Sequence, residues 1–206
     1  TPTTNVATLV SSTGFTANWT AVDNATSYTV KIYKGTDEIT TARQTGITST
    51  SVAISGLEVN TNYTYTVTAI GDGITYGNSQ PSSTISVKTL NTAKAITSFT
   101  LAGATGIIDE NTKTITVEVP FSTNLSSPIT PAIVVSEYAN LISSGAQQFI
   151  AETPINFTVQ AEDGTTQDYA VAVSKAAVNQ NANLSNIELS LGTLNPTFSG
   201  DILNYT

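Results

Sequence analysis

Apolar and polar residues alternate one by one along Ser27-Tyr-Thr-Val-Lys-Ile-Tyr33 and Asn62-Tyr-Thr-Tyr-Thr-Val-Thr-Ala69. The same period of two marks Gly14-Phe-Thr-Ala-Asn-Trp19 and Ser51-Val-Ala-Ile54. That spacing puts every second side chain on one face of a pleated backbone, so each segment reads as a β-strand with one buried face. Between them stand Asp23-Asn24, Lys34-Gly-Thr-Asp37, Thr45-Gly46 and Gly71-Asp-Gly73, with the residues that tolerate positive φ or bond their own backbone in turns. No amphipathic run of helical length interrupts the series, so the strands are expected to pair antiparallel in a sandwich. Composition pulls the same way: the 206 residues include 38 Thr, 21 Ser and 17 Asn, and β-branched Thr favours the pleated, half-buried surface.

The chain has no Cys, no His and no Met. Those absences remove the commonest nucleophile, general base and transition-metal ligands. A net charge of -8 with seven scattered basic residues argues against nucleic acid, which is bound through clustered Lys and Arg. No apolar run is long enough to span a bilayer, and no basic stretch leading into an apolar one opens the chain, so neither a membrane span nor a signal peptide is read. Thr1 stands where an initiator Met would, and the chain is read as a processed or excised fragment.

Leu57-Glu-Val-Asn-Thr-Asn-Tyr63-Thr-Tyr65 is the most specific local pattern. It resembles the corner and sixth strand of a fibronectin type III domain. The resemblance implies a Tyr63 hydroxyl that bonds back to backbone upstream, Trp19 as a buried second-strand residue, and Ser27–Val30 in the third strand. The family's usual Pro two residues after the Leu is here Val59. This domain is assigned to residues 1–90, with Tyr63 in a structural role.

After the polar link Asn91–Lys94, strand patterns resume in Ile96–Leu101 and Thr114–Val119, with a turn at Asp109–Lys113. Ile155–Ala161 and Gln167–Val173 flank Glu162-Asp-Gly-Thr-Thr166 as a hairpin with an Asp-Gly turn. This segment, 95–175, looks like the Ig-like sandwich modules of extracellular proteins from Bacteroidetes-type bacteria. Residues 183–206 resemble the opening of a cadherin-like β-sandwich and echo the second module, Phe99 and Ile187 standing 88 positions apart. The expectation is thus an all-β chain of tandem antiparallel sandwiches, fibronectin type III plus Ig-like, with an incomplete third sandwich at the C-terminus. Its open edge would be available for self-association.

Catalytic pairs are sparse. Ser27 with Lys31 and Ser174 with Lys175 read as solvent-face strand residues; Asp109 with Glu110 and Glu162 with Asp163 read as acids that shape turns. The chain is therefore read as non-enzymatic, with no catalytic and no metal residues. Three lysines against eight acids over 94–175 leave calcium as the one cofactor in view, although no Asp-x-Asp-x-Asp-Gly loop is present. Sugar-binding sandwiches stack exposed aromatics on sugar rings. The loop aromatics are Tyr76, flanked by Asp72 and Asn78, and Tyr138, so these four are the candidate ligand-binding residues. The functional expectation is an extracellular or cell-surface bacterial spacer and adhesion module, with a carbohydrate-binding module of a polysaccharide-capturing protein as the alternative. Its partners would be glycans or other cell-surface proteins.

Overall fold

A computed structural model describes residues 1–143, 145–177, 196–199 and 202–205. The chain divides into two units, Thr1–Lys175 and Ala176–Thr206, and the first contains two separate hydrophobic cores.

Around the first core lie β1 (Thr4–Thr8), β2 (Phe15–Trp19), β3 (Ser27–Lys34), β4 (Asp37–Glu38), β5 (Gln44–Ile47), β6 (Ser51–Ile54), β7 (Asn62–Ile70) and β8 (Ile85–Lys88). One sheet has the order β1-β2-β6, the other β4-β3-β7-β8 with β5 also on β3. The alternation is realised as read. Along β2, Phe15, Ala17 and Trp19 point inward; along β3, Tyr28, Val30 and Ile32 do; and β7 adds Tyr63, Tyr65 and Val67. Burying seven or eight large side chains at about 1.5–3 kcal/mol each is what holds two sheets of this size together against chain entropy. The edge of Trp19 meets Tyr28 at 5.3 Å between centroids.

Tyrosine hydroxyls link the sheets. The Glu58 amide donates to Tyr63 Oη at 3.0 Å, the upstream backbone bond that the corner pattern implies. Two residues on, Tyr65 reaches the other sheet, where its hydroxyl bonds the Asn5 carbonyl and accepts from the Asn18 amide. One expected turn is instead part of a strand: Thr45-Gly46 lies inside β5, where the three residues of β3 from Tyr28 to Val30 face the four of β5 from Ile47 to Gln44. Gly46 at φ +69 supplies the left-handed residue such a bulge requires.

Around the second core lie β9 (Ile96–Leu101), β10 (Ala104–Thr105), β11 (Ile107–Asp109), β12 (Thr114–Val119), β13 (Ala132–Val135), β14 (Asn140–Leu141), β15 (Ile155–Gln160) and β16 (Thr166–Lys175). The sheets have the orders β10-β9-β13 and β11-β12-β16-β15-β14. Phe99 and Phe157 meet edge-on across the core at 5.7 Å, beside the fully buried Tyr169 and Val171. Most pairs are antiparallel, but β12 and β16 run parallel from Thr114↔Ala170 to Val119↔Lys175. The strands between them provide the crossover that a parallel pair needs. The sole helical element among the described residues is a single 3₁₀ turn, Thr40–Ala42.

In the second unit, β17 (Pro196–Ser199) and β18 (Ile202–Tyr205) pair antiparallel. The cadherin-like expectation for 183–206, with its open edge, otherwise lies outside the described residues.

Candidate functional site

The β7–β8 loop is built around one carboxylate. Asp72 Oδ1 accepts the backbone N–H groups of Ile74, Thr75 and Tyr76 at 2.9, 2.8 and 2.8 Å. Those bonds, the one from Tyr76 foremost, hold the Asp72 carboxyl below its ordinary value. Asn78 Oδ1 accepts the Gly71 amide, and a Cβ on Gly71 would run into the Tyr76 carbonyl, so only glycine lets the loop fold this tightly on itself. The result is a loop in which Asp72 Oδ1 and Asn78 Oδ1 are occupied internally while Ile74 is 94% exposed and Tyr76 48%.

Tyr76 borders a solvent-open depression of about 200 Å³, whose other lining residues include Thr1, Val22, Asp23, Asn24, Ala25 and Ser79. Register brings these together. Ser27 pairs with Ile70, and the Thr26 amide donates to the Ile70 carbonyl at 2.8 Å, so the β2–β3 loop lies beside the start of the β7–β8 loop. Asn24 takes a left-handed φ of 61°, and the Val22 amide donates to Tyr28 Oη at 2.9 Å, fixing that wall. The structure thus groups Asp72, Tyr76 and Asn78 in one loop but uses Asp72 and Asn78 to shape it. Asp23, Asn24 and Ser79 are wall residues that sequence reasoning missed; its only signal for the first two was a turn.

Tyr138 sits elsewhere, at the other end of β7, about eight residue steps of roughly 3.3 Å from the Tyr76 loop. It is also 48% exposed, and Lys88 Nζ lies 4.1 Å from its ring centroid. That contact belongs to the junction between the two sandwiches. There the Asn91 amide donates to Glu162 Oε2 at 2.8 Å and its Nδ2 to the Glu137 carbonyl at 3.3 Å. The Asp163 amide donates back to the Asn91 carbonyl at 3.2 Å, and Lys94 Nζ donates to Thr165 Oγ1 at 2.9 Å. The Glu162–Thr166 turn of the second sandwich is therefore strapped to the link.

The paired groups weighed for catalysis have other employment. Lys31 pairs with Glu38. Asp109 Oδ1 accepts the Asn111 amide at 2.9 Å, and Glu110 pairs with Lys113 while accepting the Tyr169 hydroxyl at 2.8 Å. Lys113 first, then Tyr169, holds the Glu110 carboxyl low against the opposing effect of burial, and the Thr165 hydroxyl and amide do the same for Asp163. A general acid at neutral pH needs the reverse shift. Among the described residues no three acids converge as a metal site would require.

Comparison with known proteins places two family models on the chain. Fibronectin type III domain matches residues 1–85, and SGBP, N-terminal, matches residues 96–173, in keeping with the Ig-like module expected there. A poly(3-hydroxybutyrate) depolymerase from Ralstonia pickettii is 40% identical over 88 residues, 43% of this chain; the chain spans only 16% of that relative's length. Among solved structures, an Fn3-like protein from Clostridium thermocellum is 27% identical with a TM-score of 0.36, covering 44% of this chain and 92% of its own. A segment of two fibronectin type III domains from chicken tenascin is 15% identical with a TM-score of 0.45, covering 83% of this chain and 98% of its own.

Proposed function

We propose that the chain is a non-enzymatic segment of a bacterial surface or secreted protein, acting as a spacer and adhesion module that holds its neighbours at a set distance and angle. The observation that carries this reading is the strapped junction: Lys88 on Tyr138 and Asn91 between Glu162, Asp163 and Glu137. Small interfaces between domains ordinarily permit motion, whereas these bonds act on the link itself and shorten its free length. The fibronectin type III and SGBP N-terminal matches support placement outside the cell, at the surface. Among the described residues, no helix is long and apolar enough to cross a membrane.

Carbohydrate binding is the second reading, favoured by the match to a surface glycan-binding protein family over residues 96–173 and by the half-exposed Tyr76 at the border of its depression. Binding of the full chain to a panel of soluble polysaccharides, with Tyr76→Ala and Tyr138→Ala beside it, separates the two. Retention lost in one variant favours the glycan reading and locates its site; no retention of any polysaccharide leaves the spacer.

A further inference from the structure

We propose that residues 78–84 guard the outer edge of β7 against strand addition by a second copy of this chain, and that the hydroxyls of Ser79 and Ser82 hold the guard in place. β8 pairs with β7 only from Asn62↔Lys88 to Tyr65↔Ile85, so the rest of β7 has no strand beside it on that side. Residues 78–84 run there without strand geometry. Ser82 donates its amide to the Val67 carbonyl at 2.9 Å and accepts the Val67 amide on Oγ at 3.0 Å. Ser79 makes the same exchange with Ala69, at 2.9 and 3.0 Å, and Asn78 Oδ1 takes the Gly71 amide. From Val67 to Gly71 every second amide is thus satisfied by a side-chain oxygen standing where a strand would offer a carbonyl.

The guard's own backbone is consumed in turn. The Ser79 and Ser82 hydroxyls donate onward to the carbonyls of Gln80 and Ser83 at 2.8 and 2.9 Å. The Ser83 carbonyl also accepts from Thr4 Oγ1 at 3.0 Å, and Pro81 has no N–H to offer. A proline and occupied backbone groups blunt a sheet edge. The device recurs one residue past two other edge strands: Thr89, after β8, exchanges the same two bonds with Thr61, and Ser136, after β13, with Ala95.

The composition of β7 identifies the occupant. Asn62–Ile70 is nine residues long with no charge, no Pro and no Gly, the make-up of a segment that pairs with copies of itself. The other long strands carry charges that resist such pairing, Lys31 and Lys34 in β3 and Asp168 and Lys175 in β16. Two β7 edges laid antiparallel would set Thr, Val and Ala against one another with no like charges opposed. That pairing requires both guards to leave, and the serine bonds oppose it.

Sedimentation of the full chain, with hydrogen exchange at the Val67 and Ala69 amides, tests this. In a Ser79→Ala, Ser82→Ala variant the association constant should rise by about tenfold or more over the unaltered chain. The Val67 and Ala69 amides should exchange faster than in the unaltered chain when dilute, and become protected as concentration rises. Should the double variant fail to fold, Ser79→Ala alone, at a half-buried position, is read in the same way, and Ser79→Thr, which keeps the hydroxyl, should match the unaltered chain. A folded Ala variant that associates no more than the unaltered chain would overturn the proposal. Association that leaves the two amides unprotected would place the contact on another surface and overturn it as well.

Discussion

The Lys88 ammonium, at the last position of the first sandwich's last strand, lies 4.1 Å from the centre of the Tyr138 ring in the second sandwich. Tyr138 stands in the loop before β14 with a left-handed φ of 65°. An aromatic flagged for ligand binding thus serves as a contact between sandwiches, and its half-exposed state is that of a rim residue.

Removing the junction contacts should free the sandwiches without unfolding them. In a Lys88→Ala, Glu162→Ala double variant, thermal unfolding should change by no more than the equivalent of about 0.5–1 kcal/mol, as for exposed pairs. Small-angle scattering should meanwhile show a broader distribution of end-to-end distances than in the unaltered chain.

Tyr63→Phe tests the corner. It leaves the ring's packing intact and strands the Glu58 amide that donates to the hydroxyl, so denaturant unfolding of the first sandwich should lose about 1–2 kcal/mol. Tyr65→Phe removes bonds to both Asn5 and Asn18 and should in addition speed amide exchange along β1.

Gly71→Ala should disorder one loop. The added methyl meets the Tyr76 carbonyl, and relieving that overlap must open the loop that Asp72 closes. Amide shifts of residues 72–78 should change, with a cost of about 1–3 kcal/mol if the clash is absorbed without full opening. The shifts of β9–β16 should stay where they are.

Acid should weaken the fold through groups that can be named. Asp72 and Asp109 are held low chiefly by backbone amides, Asp163 by the Thr165 hydroxyl, Glu38 by Arg43 and Glu110 by Lys113. A carboxyl with a lower pKa folded than unfolded binds more protons when unfolded, so its stabilisation is complete above the unfolded value and is lost as pH falls through the folded one. The melting temperature should therefore be level near neutrality and fall below about pH 4. Glu110→Gln should show a shallower fall, because Tyr169 and Lys113 then face a neutral amide throughout.

Much of this architecture is legible in the residues because period-two alternation fixes which side chains are inside, and Trp19, Tyr28, Tyr63, Phe99, Phe157 and Tyr169 are all buried as that alternation requires. The Leu57–Tyr63 corner is legible too, since it is local. What escapes the sequence is set by pairing between distant segments. The parallel β12–β16 ladder joins residues more than fifty positions apart, and the wall of the Tyr76 depression forms because Ser27 happens to register with Ile70. Asp72 is legible as a turn residue, an acid before Gly73, and its carboxylate does close the loop; that it takes three amides at once depends on the loop's folded path, which no local pattern states.

Whether the two sandwiches act as one support is read most directly from backbone amide relaxation of the full chain. If the junction at Lys88, Asn91, Tyr138 and Glu162 holds, amides of residues 4–88 and 96–175 will fit one common rotational diffusion tensor. Two independent tumbling times, with fast local motion at Asn91–Lys94, would contradict the spacer reading at its root.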